Sequence, residues 1–251
     1  MSVPRWPIQW SGRTGPNPPG ALDAHRTAEP HSPAPESKRL VRALERKKRL
    51  FDRLPPLPPR DGPFPGYFER ATLVSFRLDG LQVNNAEVTH ALARGAAGRA
   101  CRSRSAQRVR NHVAVLRHVE ALLRRGHPLQ PAHVIRWYTS VACGLSSGRI
   151  DGQTAARIDQ IASTMNSPHL RLWPAVQEIA GLHVRLLADP FVPGFNGILA
   201  RVLLRYHLGR CGLPPVVFDP DADAPRMTSE TALLPRLLDL ILESYQLAIT
   251  E

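Results

Sequence analysis

A segment rich in glycine and proline, DPFVPGFNGILAR at residues 189–201, joins a turn to the predicted start of a helix. The first backbone N–H groups of a helix lack partners within it, and the helix dipole adds positive potential, so such a start favours phosphate groups. Gly194 and Gly197 permit a diphosphate to approach the backbone closely. Asn196 can add a side-chain donor, and Arg201 can reach a terminal phosphate. The pattern predicts a phosphate site, although an ordinary Pro-Gly loop leading into a helix looks the same.

Four further segments give this loop a context, and they follow one another in a fixed order. Residues 67–88 and 108–123 read YFERATLVSFRLDGLQVNNAEV and RVRNHVAVLRHVEALL. Residues 175–191 and 198–218, which flank and overlap the loop, read AVQEIAGLHVRLLADPF and ILARVLLRYHLGRCGLPPVVF.

Together these segments resemble the Fic (Fido) domain family, over about residues 67–220. The family signature reads H-P-F-x-D-G-N-G-R-x-x-R. Six positions of the loop match it from one end or the other: Pro190, Phe191, Gly194, Asn196, Gly197 and Arg201. The resemblance implies an all-helical fold, a nucleotide such as ATP bound at the loop, and transfer of AMP to hydroxyl groups of a protein target.

The departures from the signature fall on the chemical positions. Asp189 stands where the family has its catalytic His, Pro193 where it has a metal-binding Asp, and Ile198 where it has its first Arg, while Phe195 is an extra residue. An Asp is a weak general base at its ordinary pKa of about 4. A proline offers no side-chain oxygen, so Mg²⁺ is not expected at its usual position. An isoleucine neutralises no developing charge.

The sequence therefore predicts a phosphate- or nucleotide-binding pseudoenzyme or regulatory protein. An alternative is an active but non-standard transferase that modifies protein hydroxyls with Asp189 as the base. The family also aligns its target along a β-hairpin flap, which should lie near residues 146–168, and here that stretch has a helical pattern.

A second resemblance concerns the segment Ser75-Phe-Arg-Leu-Asp79-Gly80, which is similar to the family's inhibitory motif, S/T-x-x-x-E-G/N. The resemblance implies that Asp79 pairs with Arg201 and misaligns the nucleotide. Asp is one methylene shorter than Glu, so the pair requires closer backbones. The alternative is a helix end at Asp79-Gly80 with the carboxylate in solvent.

Apolar periodicity predicts an all-α fold, with about eight helices in residues 67–251 and one basic helix before them. The basic helix covers 36–53, where Leu40 and Leu44 belong to a partial apolar stripe. The others are 67–78, 86–94, 105–125, one from Pro131, 154–164, 174–187, 196–209 and 229–249. Residues 1–35, rich in Pro, Gly and Ser, predict a disordered tail. Residues 54–66, LPPLPPRDGPFPG, predict a stiff spacer or a polyproline ligand.

Composition limits the remaining possibilities. The net charge of +12 allows a third hypothesis, a nucleic-acid-binding regulatory module that uses the basic 36–53 helix. However, 30 of the 33 basic residues are Arg, which is typical of a biased genome composition.

No apolar run is long enough to span a membrane. Three scattered cysteines and the lack of an apolar leader predict a cytoplasmic protein. The oligomeric state and the protein target cannot be read from the sequence.

Overall fold

A helical bundle accounts for most of the computed structural model, which describes residues 35–51, 53, 66–94, 103–143, 150–167, 172–192 and 194–250. These residues form ten α-helices, one 3₁₀ segment (Ala224–Thr228) and no β-strand. The helices are α1 (Pro35–Phe51), α2 (Tyr67–Leu78), α3 (Asn85–Arg94), α4 (Arg104–Arg125), α5 (Pro131–Ala142), α6 (Gly152–Asn166), α7 (Leu172–Ala188), α8 (Asn196–Arg210), α9 (Pro220–Asp223) and α10 (Glu230–Thr250).

The all-α prediction is confirmed, and each helix predicted from the sequence is present. The predicted tail of 1–35 and spacer of 54–66 lie outside the described residues, apart from Pro35 and Gly66. The stretch predicted as helical within 146–168 contains α6. The division of the chain at residue 66 stays a prediction.

Helix ends follow local capping signals, and these explain the differences from the predicted bounds. The Ser103 hydroxyl accepts from the Ala106 N–H at 3.0 Å, and Gly126, at φ 65°, ends α4. The Asp151 carboxylate accepts from the Thr154 N–H at 2.8 Å, so α6 begins two residues before its predicted start. The sequence pattern misses α9, whose four residues are too few for a periodicity and depend on Asp219 as a cap.

Helix α8 is the element around which the others are arranged. Nearly every residue from Ile198 to Gly209 is buried, and α8 packs against α2, α4, α6 and α7. A helix that is buried on all sides belongs to the core, and the polar side chains it carries there need partners within the protein. On the far side of the bundle, α1 packs against α10 and inserts the fully buried Leu44 among the leucines of that helix.

A buried ion pair fixes α8 against α4. The Arg205 guanidinium donates from Nε to Glu120 Oε1 at 2.6 Å and from Nη2 to Glu120 Oε2 at 2.9 Å. The guanidinium carbon lies 5.9 Å from the centroid of the Tyr67 ring, so α2 joins the same contact. Because Arg205 lies one turn after Arg201, this pair sets the rotation and height of the helix that carries the predicted site.

We expect Glu120→Ala to lower the free energy of unfolding by about 4 kcal/mol, since it leaves the buried Arg205 without its counter-charge. The double variant Glu120→Leu with Arg205→Met should lose less free energy of unfolding than the sum of the losses in Glu120→Leu and Arg205→Met measured singly. Urea unfolding of the single and double variants measures the coupling. The control is Asp189→Ala, which removes the ion pair between the exposed Asp189 and Arg157 of α6 and should cost less than about 1 kcal/mol. An additive double variant would contradict this account.

Candidate functional site

The loop between α7 and α8 is closed by one side chain. Asn196 accepts the Phe191 N–H on Oδ1 at 3.1 Å and donates from Nδ2 to the Leu186 carbonyl at 2.6 Å. Phe191 and Val192 are buried and anchor the loop to the core. The prediction that one helix ends near Asp189 and the next begins at Asn196 is confirmed. Pro193 lies outside the described residues.

The role of Asn196 in the structure differs from the predicted one. The sequence suggests that its amide adds a donor for a ligand, whereas here the amide ties the loop to the end of α7. The physical reason is that the tight turn leaves the Phe191 N–H and the Leu186 carbonyl without helical partners, and Asn196 satisfies both. The donors left at the start of α8 are therefore those of the backbone.

The Asp79 carboxylate lies over the start of α8. Gly197 has no side chain, and a Cβ built there would overlap Asp79 Oδ1. Gly194 has φ 75°, a conformation that other residues rarely adopt. The chain thus brings an anion to the point where the first N–H groups of the helix lack intrahelical partners.

Arg201 is held from α2 by three contacts. It donates to the Ser75 hydroxyl at 2.8 Å, to the Ser75 carbonyl at 2.7 Å and to Asp79 Oδ1 at 2.5 Å. The side chains of Arg201 and Asp79 are only 10% and 20% exposed. The expected approach of Asp79 to Arg201 is confirmed, and the alternative, a carboxylate in solvent, is wrong. Gly80 closes the same helix end at φ 70°, with open space around it.

Asp189, at the position of the family's base, is exposed and paired with an arginine of α6. Its side chain is 75% exposed and pairs with Arg157 of α6 at 2.7 Å. Arg157 also donates to the backbone carbonyls of Asp189 at 2.9 Å and Pro190 at 3.3 Å. This arginine therefore clamps the beginning of the loop, a contact that nothing in the sequence indicates.

The position of the family's first Arg is part of the core. The Ile198 side chain is 1% exposed and packs in the same apolar cluster as Leu199 and Val202. It contributes packing and no charge to the start of α8. Among the six signature positions that match, Arg201 is therefore the one with a positively charged side chain.

The donors present do not suit a divalent cation. Within the described ranges, no three or more His, Cys, Asp or Glu side chains are grouped so as to hold a metal ion. The carboxylate nearest the helix start, Asp79, is committed to Arg201. Hard cations such as Mg²⁺ require several oxygen ligands, and these side chains supply one that is already paired.

Two buried histidines surround Arg201, and the sequence does not single them out as parts of the site. His112 of α4 lies 3.0 Å from the Thr72 hydroxyl, and His183 of α7 stacks on Phe218 with ring centroids 6.0 Å apart. Burial, and secondarily the charge of Arg201, lowers the pKa of each to about 3. Burial also lowers the pKa of the Arg201 guanidinium, and the charge of Asp79 opposes that effect. His112 occupies the apolar face of α4, which is the signal that could have placed it.

Little space remains between α2, α4 and α8. A cavity of about 30 Å³ is lined by Ser75, His112, Arg201 and Phe218, among others. This is room for one or two water molecules, far less than a ligand pocket of several hundred Å³. In this structure, α2 and Asp79 fill the space beside Arg201.

Solved structures of similar shape identify the architecture. A Fic-domain-containing signalling protein from Bacteroides thetaiotaomicron matches 84% of this chain and 95% of its own, at 15% identity and a TM-score of 0.63. Fic-1 from C. elegans matches 86% of this chain and 72% of its own fragment, at 14% identity and a TM-score of 0.66. The chain has the Fic fold.

The shared fold comes without a close sequence relationship. No family model and no curated protein matches the sequence. At this level of identity, the agreement with the solved Fic-domain structures concerns the fold alone. It confirms the fold implied by the resemblance at residues 67–220.

The buried histidines predict an acid-sensitive core. Their pKa values in the folded protein are about 3, below the ordinary 6.5, so the unfolded chain binds protons that the folded chain does not. Stability is therefore present above pH 6.5 and is lost as the pH falls toward 3, by about 1.4 kcal/mol per pH unit for each histidine.

We expect His183→Leu to reduce the slope of unfolding free energy against pH between pH 6 and 4 by that amount. Urea unfolding at several pH values measures it. The control is His90→Leu, at an exposed position of α3, which should leave the slope unchanged. Equal slopes for the unmodified protein and His183→Leu would contradict neutral burial of this ring.

Proposed function

We propose that this Fic-fold protein binds a nucleotide or another phosphate compound at the start of α8, and that it is a pseudoenzyme or regulatory protein. The observation that carries the proposal is the Asp79 carboxylate, which lies over Gly197 and pairs with Arg201. A carboxylate in that position is the internal counterpart of a phosphate.

The electrostatics support a phosphate ligand. A largely buried guanidinium next to the positive end of a helix is a costly concentration of charge unless an anion is present. Asp79 supplies that anion from within the chain. A terminal phosphate offers more oxygens to the same donors, so the ligand and Asp79 compete for one place. Binding therefore requires Asp79 and the end of α2 to move aside.

The chemistry of the site favours binding over transfer. Asp189 is exposed and paired with Arg157, so it lacks the burial that would make an aspartate a stronger base. Ile198 is buried in the core, and Pro193 has no side-chain oxygen to offer a metal. Standard phosphoryl-type transfer relies on a metal and arginine side chains to neutralise developing charge. The described side chains at the start of α8 provide one arginine.

Several finer points belong to the same proposal. ATP or a related nucleotide is the ligand class implied by the resemblance, without Mg²⁺ at its usual position. The alternative in which Asp189 acts as a base implies a protein target. Cys143 and Cys211 are free thiols, which is compatible with a cytoplasmic location. None of the helices in the described ranges combines the length and apolarity needed to cross a bilayer.

Asp79→Ala tests the competition directly. We expect it to strengthen binding of ADP, ATP or inorganic phosphate at least tenfold, because the internal anion is gone. In the absence of ligand it should lower the free energy of unfolding by about 3 kcal/mol, since Arg201 is left unpaired in a largely buried position. Calorimetric titration and urea unfolding measure the two effects.

The matched control is Asp159→Ala, which removes the same charge from an exposed position of α6 and should change neither quantity. Arg201→Ala should abolish phosphate binding in either background. If Asp79→Ala leaves both anion affinity and stability unchanged, the proposed competition is refuted. If neither protein binds any phosphate compound up to millimolar concentration, the phosphate site itself is refuted.

The second test concerns catalysis. We expect no Mg²⁺-dependent transfer of AMP from labelled ATP to the protein itself or to a general protein substrate, in the unmodified chain or in Asp79→Ala. Restoring single positions, by Asp189→His or Ile198→Arg, should not produce transfer, because Pro193 remains. Robust autolabelling by the unmodified protein that is lost in Asp189→Ala would establish the alternative of a non-standard transferase.

A further inference from the structure

Helix α1 carries a row of cations that the proposed phosphate site does not use. Lys38, Arg39, Arg42, Arg46 and Arg49, the basic stripe, are all exposed. At about 100° per residue their side chains fall within roughly a 100° arc of the helix surface. From the first to the last they span about 16 Å along the axis, at the rise of about 1.5 Å per residue.

The rest of α1 is used to attach it. Leu44 is fully buried, and Leu40 is partly buried against the same cluster of α7 and α10 side chains. These leucines lie on the side of the helix opposite the basic stripe. The stripe therefore points away from the bundle and is held at a fixed orientation by the packing of α1 on α10.

The charges of the stripe are not neutralised by the described parts of the protein. None of its five side chains forms an ion pair with another residue in those parts. The acidic residues of α1 are Glu36 and Glu45, and Glu45 borders the stripe without a salt bridge to it. Like charges three and four residues apart on a helix repel one another, so this face gains stability when an anion covers it.

We propose that the basic stripe binds the phosphodiester backbone of duplex nucleic acid. A duplex carries one negative charge per about 1.7 Å of its axis, so a straight cationic row of this length faces several phosphates at once. Arginine, four of the five residues, binds phosphate in a bidentate manner. The net charge of +12 adds a long-range attraction to the same partner.

Two features favour a duplex over other polyanions. No aromatic residue lies within the stripe, since the aromatic residue of α1, Phe51, is the last of the helix, whereas binding of single strands relies on aromatic stacking along the strand. A helix that binds a lipid surface inserts its apolar face, and here that face is packed against α10. Among the described side chains, Leu50 is the exposed large apolar residue beside the stripe, and one such residue does not make the apolar face that insertion into a lipid surface needs.

The binding has a defined salt dependence. If five phosphates are neutralised, the logarithm of the association constant falls with the logarithm of the salt concentration with a slope of about −4.5. Between 50 and 200 mM salt, the affinity should then decrease a few hundred-fold. Base contacts are not implied, so duplexes of different sequence should bind alike.

The test uses the full chain and a labelled 20-base-pair duplex followed by fluorescence anisotropy. The charge-removal variant carries Arg42→Gln, Arg46→Gln and Arg49→Gln. We expect it to bind at least tenfold more weakly and to show a salt slope smaller in magnitude by about 3. A lysine version, with Arg→Lys at the same three positions, should retain most of the binding and shows that loss of charge is the cause.

The matched control carries Arg125→Gln, Arg136→Gln and Arg226→Gln, three exposed arginines outside α1. It has the same net charge as the charge-removal variant and should bind like the unmodified protein. Thermal melting of each protein establishes that it is folded.

Three results would overturn the proposal. The first is the absence of duplex binding at 50 mM salt. The second is an equal loss in both glutamine variants, which would assign the binding to net charge alone. The third is binding to phosphatidylserine vesicles, or to single-stranded RNA, that is stronger than binding to the duplex and is lost in the charge-removal variant.

Discussion

A guanidinium that is largely removed from water at the positive end of a helix requires an anion, and much of this structure follows from that requirement. Arg201 is 10% exposed, lies one turn into α8 and has two neutral histidines near it. Solvent contributes little there, so the chain supplies the compensation: a hydroxyl and a carbonyl from Ser75 and a carboxylate from Asp79. Helix α2 is thereby attached to α8 through a polar contact within an otherwise apolar interface.

The bundle is built to hold that contact in register. Arg205, one turn further along α8, pairs with Glu120 of α4 and lies against the ring of Tyr67, the first residue of α2. The two arginines therefore fasten both ends of α2: Arg205 near its start and Arg201 at its end. His112 and Thr72 add a contact between α4 and the middle of α2. Because both arginines contact α2, a substitution of either one should shift α2 and weaken the contacts of the other, although the two have different counter-ions.

The sequence predicts the elements of this arrangement better than their roles. Capping residues and apolar periodicity locate the helices, because these signals are local. The partnership of Asp79 with Arg201 joins residues more than 120 positions apart, and only the motif resemblance predicts it, because periodicity carries no long-range information. Asn196 and Arg157 show the limit. Their roles depend on which backbone groups a tight turn leaves unpaired, and that is decided only when α6, α7 and α8 come together.

The geometry at Gly197 explains how Asp79 reaches Arg201, although the similar motif of the family has the longer Glu at this position. Asp is one methylene shorter than Glu, so its carboxylate reaches Arg201 only if the backbones of α2 and α8 approach more closely. A side chain at residue 197 would occupy the volume of the carboxylate, and glycine leaves it open. The same open volume is what a phosphate needs to reach the N–H groups of the helix start. On the proposed function, the one glycine thus leaves room for either of two mutually exclusive anions. Ile198 is buried in the apolar core, and Asp189 is exposed and paired with Arg157. On the proposed function, Asp79 and a phosphate compete for this volume, and the competition needs neither a base at residue 189 nor a charge at residue 198.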